Sequence, residues 1–407
     1  MSIGSENRNF NTFVLGVGSP IGLSILRDLG QNGFNTIGIG GENSIGHASK
    51  YCNLVVIRES SPEKVIAQLI ELGGNPSNNF LLSVSEGDIK LINQNREALS
   101  AYFSILVPEQ AQMDVVLDKS KTKLIADTLN INSPKSFQLT QLKELVSYAD
   151  ELSFPVVLKW ANPLLVQNIL YKSGIEYHKL QYANNHQELE RFLSIYEKIN
   201  AFPLIQEYCE GKGLGQFFLC KDGISHLEFQ HERLHEWPPE GGTSTYCISI
   251  PINEHQECMN KSKALLKKLN WTGVAMVEYR YSKEQQKYVL MEINGRFWGS
   301  SPLAIYAGTG FASNMVKLLG LNQKIEQPTL RHYKCLYMIP ELKRLYRILF
   351  EGQKIQDPNI QFSKTEEIIT LLKAILTFGS KYFVFNFDDP SPFFKDMKNV
   401  LKKIMKR

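Results

Sequence analysis

A chain of 407 residues, 43% hydrophobic and 21% charged, exceeds one ordinary core and predicts two or three folded domains without extended disorder. Its net charge of +4 provides no dense basic stripe of the kind a dedicated nucleic-acid binder carries, so nucleic acid is not an expected partner. The six cysteines (Cys52, Cys209, Cys220, Cys247, Cys258 and Cys335) form no CxxC pair and no Cys/His cluster with zinc spacing, which predicts a reduced, cytoplasmic protein. Residues 1–12 are polar and no run of about 18 apolar residues occurs, so neither a signal peptide nor a membrane span is expected.

The first element is an apolar strand, Phe13-Val14-Leu15, followed by a glycine-rich turn and an amphipathic helix over 23–29 that stops at Gly30 and Gly33. A second strand over 36–39 completes a βαβ start. Runs at 54–57, 80–84 and 105–107 predict further strands, with helices over 62–73 and 88–101 between them. Residues 1–115 therefore read as a small doubly wound α/β domain. Gly16-x-Gly18-x-x-x-Gly22 departs by one residue from the dinucleotide fingerprint and carries Pro20 in the turn. Glu42 stands near the place of a ribose-binding acid, yet an NAD(P)-dependent oxidoreductase is the weakest of the functional readings. Ser85-Glu86-Gly87-Asp88 follows another strand at its C-terminal end, where ligands gather in open α/β sheets. Glu86 is a candidate substrate contact there, with simple capping as the alternative.

The pattern then changes to an α+β unit. Helices are expected over 118–129 and 141–150 and strands over 154–159, 203–208, 215–220 and 225–231, with tight turns such as Lys221-Asp222-Gly223. Lys159 ends an apolar strand, where its ammonium needs an anionic partner or a water-facing end. A Pro/Gly-rich loop spans 237–245, a helix 257–269, a hairpin 273–293, and a small-residue turn plus helix 295–320. Residues 326–407 read as mostly helical, with Ser363-x-x-Glu366 as a capping box before 368–376. The last helix gathers Met397, Val400, Leu401, Ile404 and Met405 on one face, ringed by Lys395, Lys398, Lys402, Lys403, Lys406 and Arg407. Packing on the protein is the favoured reading for it, and peripheral contact with an anionic membrane the alternative.

The chemistry concentrates in the hairpin. If it centres on Gln285, Glu278 faces Glu292 across the strands, and Asn294, two residues on, points to the same side as Glu292. Two carboxylates placed opposite each other repel unless a cation lies between them, and this all-oxygen set suits Mg²⁺. Arg296 is close enough to reach phosphates as a fork-shaped donor.

The run Gly273-Val-Ala-Met-Val-Glu278 followed by Met291-Glu-Ile-Asn-Gly-Arg-Phe-Trp-Gly-Ser-Ser301 resembles the metal-binding end of the ATP-grasp superfamily, and most of all its carboxylate–amine ligase branch. The branch usually has proline where Gly295 stands. The resemblance covers about residues 12–320. It implies a Rossmann-like pre-ATP-grasp domain over 1–115, a two-lobed ATP-grasp domain over 116–325 (lobes 116–210 and 211–325), and a helical C-terminal extension over 326–407. It implies ATP with Mg²⁺, or Mn²⁺ in its place, held by Glu278, Glu292 and Asn294. Lys119, with Lys121 and Lys123 competing, and Lys159 would reach the phosphates. Gln206, Glu207, Tyr208 and Glu210 would line adenine and ribose, and Arg296 and Arg233 would stabilise the transferring phosphate. Gly18 and Glu86 would face the substrate. Asp388-Asp389-Pro390-Ser-Pro392 also resembles the branch but has no evident chemical role. The implied activity is ATP-dependent joining of a small carboxylate to an amine through an acyl phosphate. A Mg-ATP sensor without catalysis is the alternative, and no biotin-attachment segment is apparent. The identity of acid and acceptor and the oligomeric state stay open.

Overall fold

The structure, a computed structural model, describes residues 6–357, 359–377 and 379–405; the predicted tail residues Lys406 and Arg407 lie outside them. Three sheets organise the chain. The first is fully parallel: β1 (Asn11–Leu15), β2 (Asn35–Gly40), β3 (Leu54–Ile57), β4 (Asn79–Ser83) and β5 (Ser104–Ile105), in the order β3-β2-β1-β4-β5. Its order reverses between β1 and β4, which makes that gap the topological switch point. Helices start where the sequence supplies caps. Ser19 accepts from Gly22 N before Pro20–Gln31, Ser61 caps Pro62–Leu72, and Ser85 caps Glu86–Gln94. The helix expected over 88–101 breaks at Asn95 into Glu86–Gln94 and Arg96–Ser100.

The glycine turn after β1 serves close packing. Gly16 has φ +107°, and a Cβ on Gly22 would stand 2.6 Å from the Gly16 carbonyl oxygen. The helix can lie on the strand end only without that carbon.

The second sheet is antiparallel, β6 (Ser136–Phe137), β7 (Val156–Lys159), β8 (Gln181–Ala183) and β9 (Leu204–Glu207), in the order β6-β9-β7-β8. Its core of Leu158, Trp160, Leu189 and Ile205 is its own. β8 and the helices Pro163–Lys172 and His186–Ser194 are additions to the expected elements, and the helix expected over 141–150 is a series of short turns.

The third sheet contains β10 (Lys212–Lys221), β11 (Ile224–Trp237), β12 (Thr243–Ser249), β13 (Gly273–Ser282), β14 (Lys287–Asn294), β15 (Lys334–Leu336) and β16 (Lys381–Tyr382), in the order β14-β13-β10-β11-β12-β15-β16. β15 and β16 are strands inside the segment expected to be mostly helical; they extend the sheet edge and bring the C-terminal helices against it. Leu23, Phe80 and Val84 of the first unit share one core with Phe217, Trp298 and Phe311 of the third.

The aspartates of the C-terminal segment are fasteners. Buried Asp389 accepts from Arg27 Nε at 3.0 Å and Ser49 Oγ at 2.6 Å, and Asp388 pairs with Lys50 at 2.6 Å. The last helix, Ser391–Met405, packs through Pro392 and Phe393 and bonds the Asn43 carbonyl through Asn399, whereas Phe394, Met397, Leu401, Ile404 and Met405 stay exposed. Among the described residues no helix is long and apolar enough to cross a membrane.

Candidate active site

The hairpin forms as its alternation predicts, with Glu278 directly opposite Glu292 and Asn294 opposite Met276. The register shifts by one residue beyond this pair, and the bulge turns Met291 outward beside the carboxylates. The Asn294 amide donates to Glu292 Oε1 at 3.0 Å, and its oxygen accepts from Arg296 at 3.5 Å.

Cations surround the pair. Lys119, at the start of the helix Lys119–Asp127 capped by Asp118, holds its ammonium 3.8 Å from Glu292. Its competitor Lys123 is bonded to Asp127 at 2.8 Å within the same helix. Lys159 projects from the end of β7 toward the same carboxylates. Burial pushes its ammonium down to about 8, with Glu292 opposing that shift. Burial by itself would raise Glu292, but Lys119, the Asn294 amide, Lys179 and Lys159 overcome it and hold the carboxyl at about 2. Glu278 is shifted the other way: burial raises it and Glu292 adds to the rise, against the pull of Arg233. Two facing carboxylates driven apart in this way, with only oxygen donors, fit a divalent cation such as Mg²⁺.

Arg233, expected to face a phosphate, instead bonds Glu278 at 2.5 Å and Glu236 at 3.0 Å. Glu236 also holds Arg280 at 3.0 Å, so two arginines and two glutamates form one network behind the first carboxylate. Arg280, Glu236 and Lys179 were absent from the expected set. Arg280 was within reach, since it follows Glu278 by two residues and shares its face; Glu236 and Lys179 come from distant chain segments and gave no local signal.

A cavity of about 270 Å³ opens beside Glu292, lined by Val116, Lys119, Leu124, Leu204, Gln206 and Met291 among others. Of the expected hinge residues, Gln206 lines it and bonds Ser136. Glu207 accepts from Lys135 N at 3.1 Å, Tyr208 faces Tyr182 with ring centroids 6.3 Å apart, and Glu210 lies exposed in the turn before β10.

Arg296 reaches across to the first sheet, where its Nε donates to Glu86 at 3.0 Å. Glu86 follows β4 and exposed Gly18 follows β1, so both stand at the C-terminal edge on either side of the switch point.

A family model described as the carbamoyl-phosphate synthase L chain, ATP binding domain, matches residues 247–327, a segment that holds both hairpin carboxylates, Asn294 and Arg296. A D-aspartate ligase of Enterococcus faecium is 22% identical over 242 residues, 57% of this chain and 56% of the ligase. The match thus spans little over half the length of that relative. Among solved structures, N5-carboxyaminoimidazole synthetase from Staphylococcus aureus, complexed with ADP, superposes with a TM-score of 0.64 at 12% identity, over 87% of this chain and 89% of that one. The biotin carboxylase domain of Hydrogenobacter thermophilus 2-oxoglutarate carboxylase, solved with MgADP, ADP and bicarbonate, gives 0.62 at 14% identity, over 80% and 73%. At these identities the likeness to the solved structures is one of fold.

Proposed function

We propose that this chain, a member of the ATP-grasp superfamily by its fold and its matched segment, is an ATP-dependent ligase that joins a small carboxylic acid to an amine. The observation that carries the reading is the register pair Glu278–Glu292 ringed by Lys119, Lys159 and Lys179, because a paired acid site inside a lysine collar suits a metal-bound polyphosphate. Glu278, Glu292 and Asn294 are the residues that would hold Mg²⁺, which supplies charge neutralisation at the nucleotide phosphates. The neighbouring cavity, apolar along Val116, Leu124, Leu204 and Met291 with Gln206 as a polar anchor, suits the adenine.

The chemistry needs no nucleophilic side chain. A carboxylate oxygen of the substrate attacks the γ-phosphorus, the bond to the β-phosphate oxygen breaks, and ADP leaves. The amine nitrogen then attacks the acyl carbon, phosphate departs, and the nitrogen loses a proton. The protein's part is to align the partners and oppose the charge that develops. Lys119 and Lys159 sit where the phosphates would lie. Arg233 fixes Glu278, and Arg296 ties the phosphate end to Glu86, so the acid or its acceptor would enter at the switch point between Gly18 and Glu86. The packing of Gly22 against the end of β1 is a role that glycine also has in dinucleotide-binding turns, so the ATP reading rests on the acid pair and its lysines and not on this turn.

The test is phosphate release from Mg-ATP with pooled carboxylic acids and amines, wild type against Glu292→Gln. Acid-dependent release that falls at least about a hundredfold in the variant is expected, the size typical of losing one charge-stabilising contact. Unchanged release in a folded Glu292→Gln protein would remove the pair from the mechanism. Tight Mg-ATP binding without release from any pool would favour a sensor.

A further inference from the structure

The strand that carries Arg233 toward the phosphate end carries Glu232 on its opposite face. There Glu232 meets Glu254 and His255, which immediately precede the helix Gln256–Lys268. One carboxylate oxygen from each glutamate and one imidazole nitrogen lie within 4.8 Å of one another.

His255 is held in a way that leaves one nitrogen for a ligand. Its side chain is 6% exposed, and its ring stands edge-on to Tyr281 and Tyr288, with centroids 4.8 and 5.5 Å away. These two tyrosines face each other in the β13–β14 register and stack with centroids 4.5 Å apart. Nδ1 is 2.8 Å from the Tyr288 hydroxyl, and in the tautomer whose Nδ1–H donates to that oxygen the Nε2 lone pair is free. Among the described residues, Nε2 has no hydrogen-bond partner, although it is buried. It points toward Glu232 Oε1 at 3.9 Å, beyond hydrogen-bond length but short enough to share a cation. Glu254 is exposed and free to swing inward.

We propose that Glu232, Glu254 and His255 form a second divalent-cation site, separate from the Glu278–Glu292 pair and suited to Zn²⁺ rather than Mg²⁺. The imidazole is the reason for the preference, since Mg²⁺ takes oxygen donors whereas Zn²⁺ takes nitrogen and carboxylate together, with water completing the tetrahedron. Donor atoms of tetrahedral zinc sit about 3.3 Å apart, given bonds of about 2.0 Å. Closure from 3.9 Å needs the half-buried Glu232 carboxylate to shift toward the imidazole by a few tenths of an ångström, and the exposed Glu254 to turn inward. The contact between Tyr288 and Nδ1 is the outer-shell bond that zinc-binding histidines regularly make. Bound metal would staple β11 to the chain entering the helix Gln256–Lys268, on the reverse of the strand that positions Arg233.

The site is tested on the full chain, stripped of metal and kept in excess Mg²⁺ so that the hairpin carboxylates are occupied. Zn²⁺ is titrated by calorimetry, and Co²⁺ serves as a spectroscopic stand-in. One saturable Zn²⁺ per chain is expected, weakened in both Glu254→Gln and Glu232→Gln by more than the ~10-fold typical of losing an outer-shell partner. Glu254→Gln alters only an exposed side chain, so its folding is not in question. Glu292→Gln should leave this binding unchanged, and the cobalt spectrum should lack a thiolate charge-transfer band. Equal affinity in wild type and both site variants, loss of the ion in Glu292→Gln, a thiolate band, or an adventitious ion only would each overturn the proposal.

Discussion

Lys159, held at about 8 inside the cleft, would couple nucleotide binding to pH in the proposed function. In the free protein burial disfavours its charged form; a polyphosphate beside it restores the charge and raises the value. Above pH 8 binding must therefore take up a proton, and affinity falls by up to about tenfold per pH unit. Folding has the opposite sign. A lysine lowered in the folded state opposes folding while it is charged, and this opposition is relieved as pH rises from 8 toward 10.5. ATP affinity and stability should thus diverge across that range. Calorimetry at pH 7, 8 and 9 in two buffers of different ionisation heat measures the uptake directly. Lys159→Arg should flatten the dependence, because a guanidinium stays charged. A pH-independent affinity in the wild type would show that Lys159 does not meet the nucleotide. Lys119, proposed from the resemblance with Lys121 and Lys123 competing, has its ammonium 3.8 Å from Glu292, whereas the carboxylate partners of Arg233 were not legible in the sequence. Its guanidinium lies 2.5 Å from a carboxylate 45 residues away, and no local pattern encodes such a partner.

Elements join through a few buried polar contacts, and Asp28 is the clearest of them. It lies in the helix Pro20–Gln31 of the first unit and accepts from Ala312 N at 2.7 Å, Ser313 N at 3.1 Å and Ser313 Oγ at 2.8 Å, capping a helix beside the third sheet. Burial raises its carboxyl against those donors, so the bonds offset a real desolvation cost. Asp28→Ala would strand two buried N–H groups and should destabilise the protein by about 3 kcal/mol. Denaturant unfolding of Asp28→Ala measures it, and a loss under about 1 kcal/mol would mean that water replaces the carboxylate. Such a junction is invisible to periodicity, because an aspartate in a helix reads as solvated until its partner is known. Length set the other limit. β1, β2, β4 and the hairpin β13–β14 were legible from apolar runs and alternation, but β15 and β16, of three and two residues, are too short to show a period. The helix Pro163–Lys172 exposes Leu165, Ile169 and Tyr171, which blurred its stripe.

At the scale of the molecule, the arrangement of cores predicts which part moves. The first and third units are joined by a continuous core through Leu23, Phe80, Phe217 and Trp298, by the Asp28 cap, and by the pair Arg27–Asp389. The second sheet closes its own core, and specific bonds to the rest include Leu290 N to the Asn132 carbonyl, the Tyr182 hydroxyl to the Glu240 carbonyl, and Tyr182 N to Gln356. A unit with a separate core and a thin polar seam can rotate at little energetic cost. Lys159 and Gln206 belong to this unit, whereas Glu278 and Glu292 belong to the third, so nucleotide bound between them has contacts to gain by drawing the two together. Hydrogen exchange read by mass spectrometry should show Mg-ATP slowing amides in β6, β7 and β9 by about tenfold or more, equivalent to about 1.4 kcal/mol of added closure, while β1 and β4 hold their rates. Because the first and third units share one core, slowing spread evenly over all three sheets would point instead to global stabilisation by ligand. Slowing confined to the hairpin would leave the second sheet outside the nucleotide site and return Lys159 to a role at a strand end.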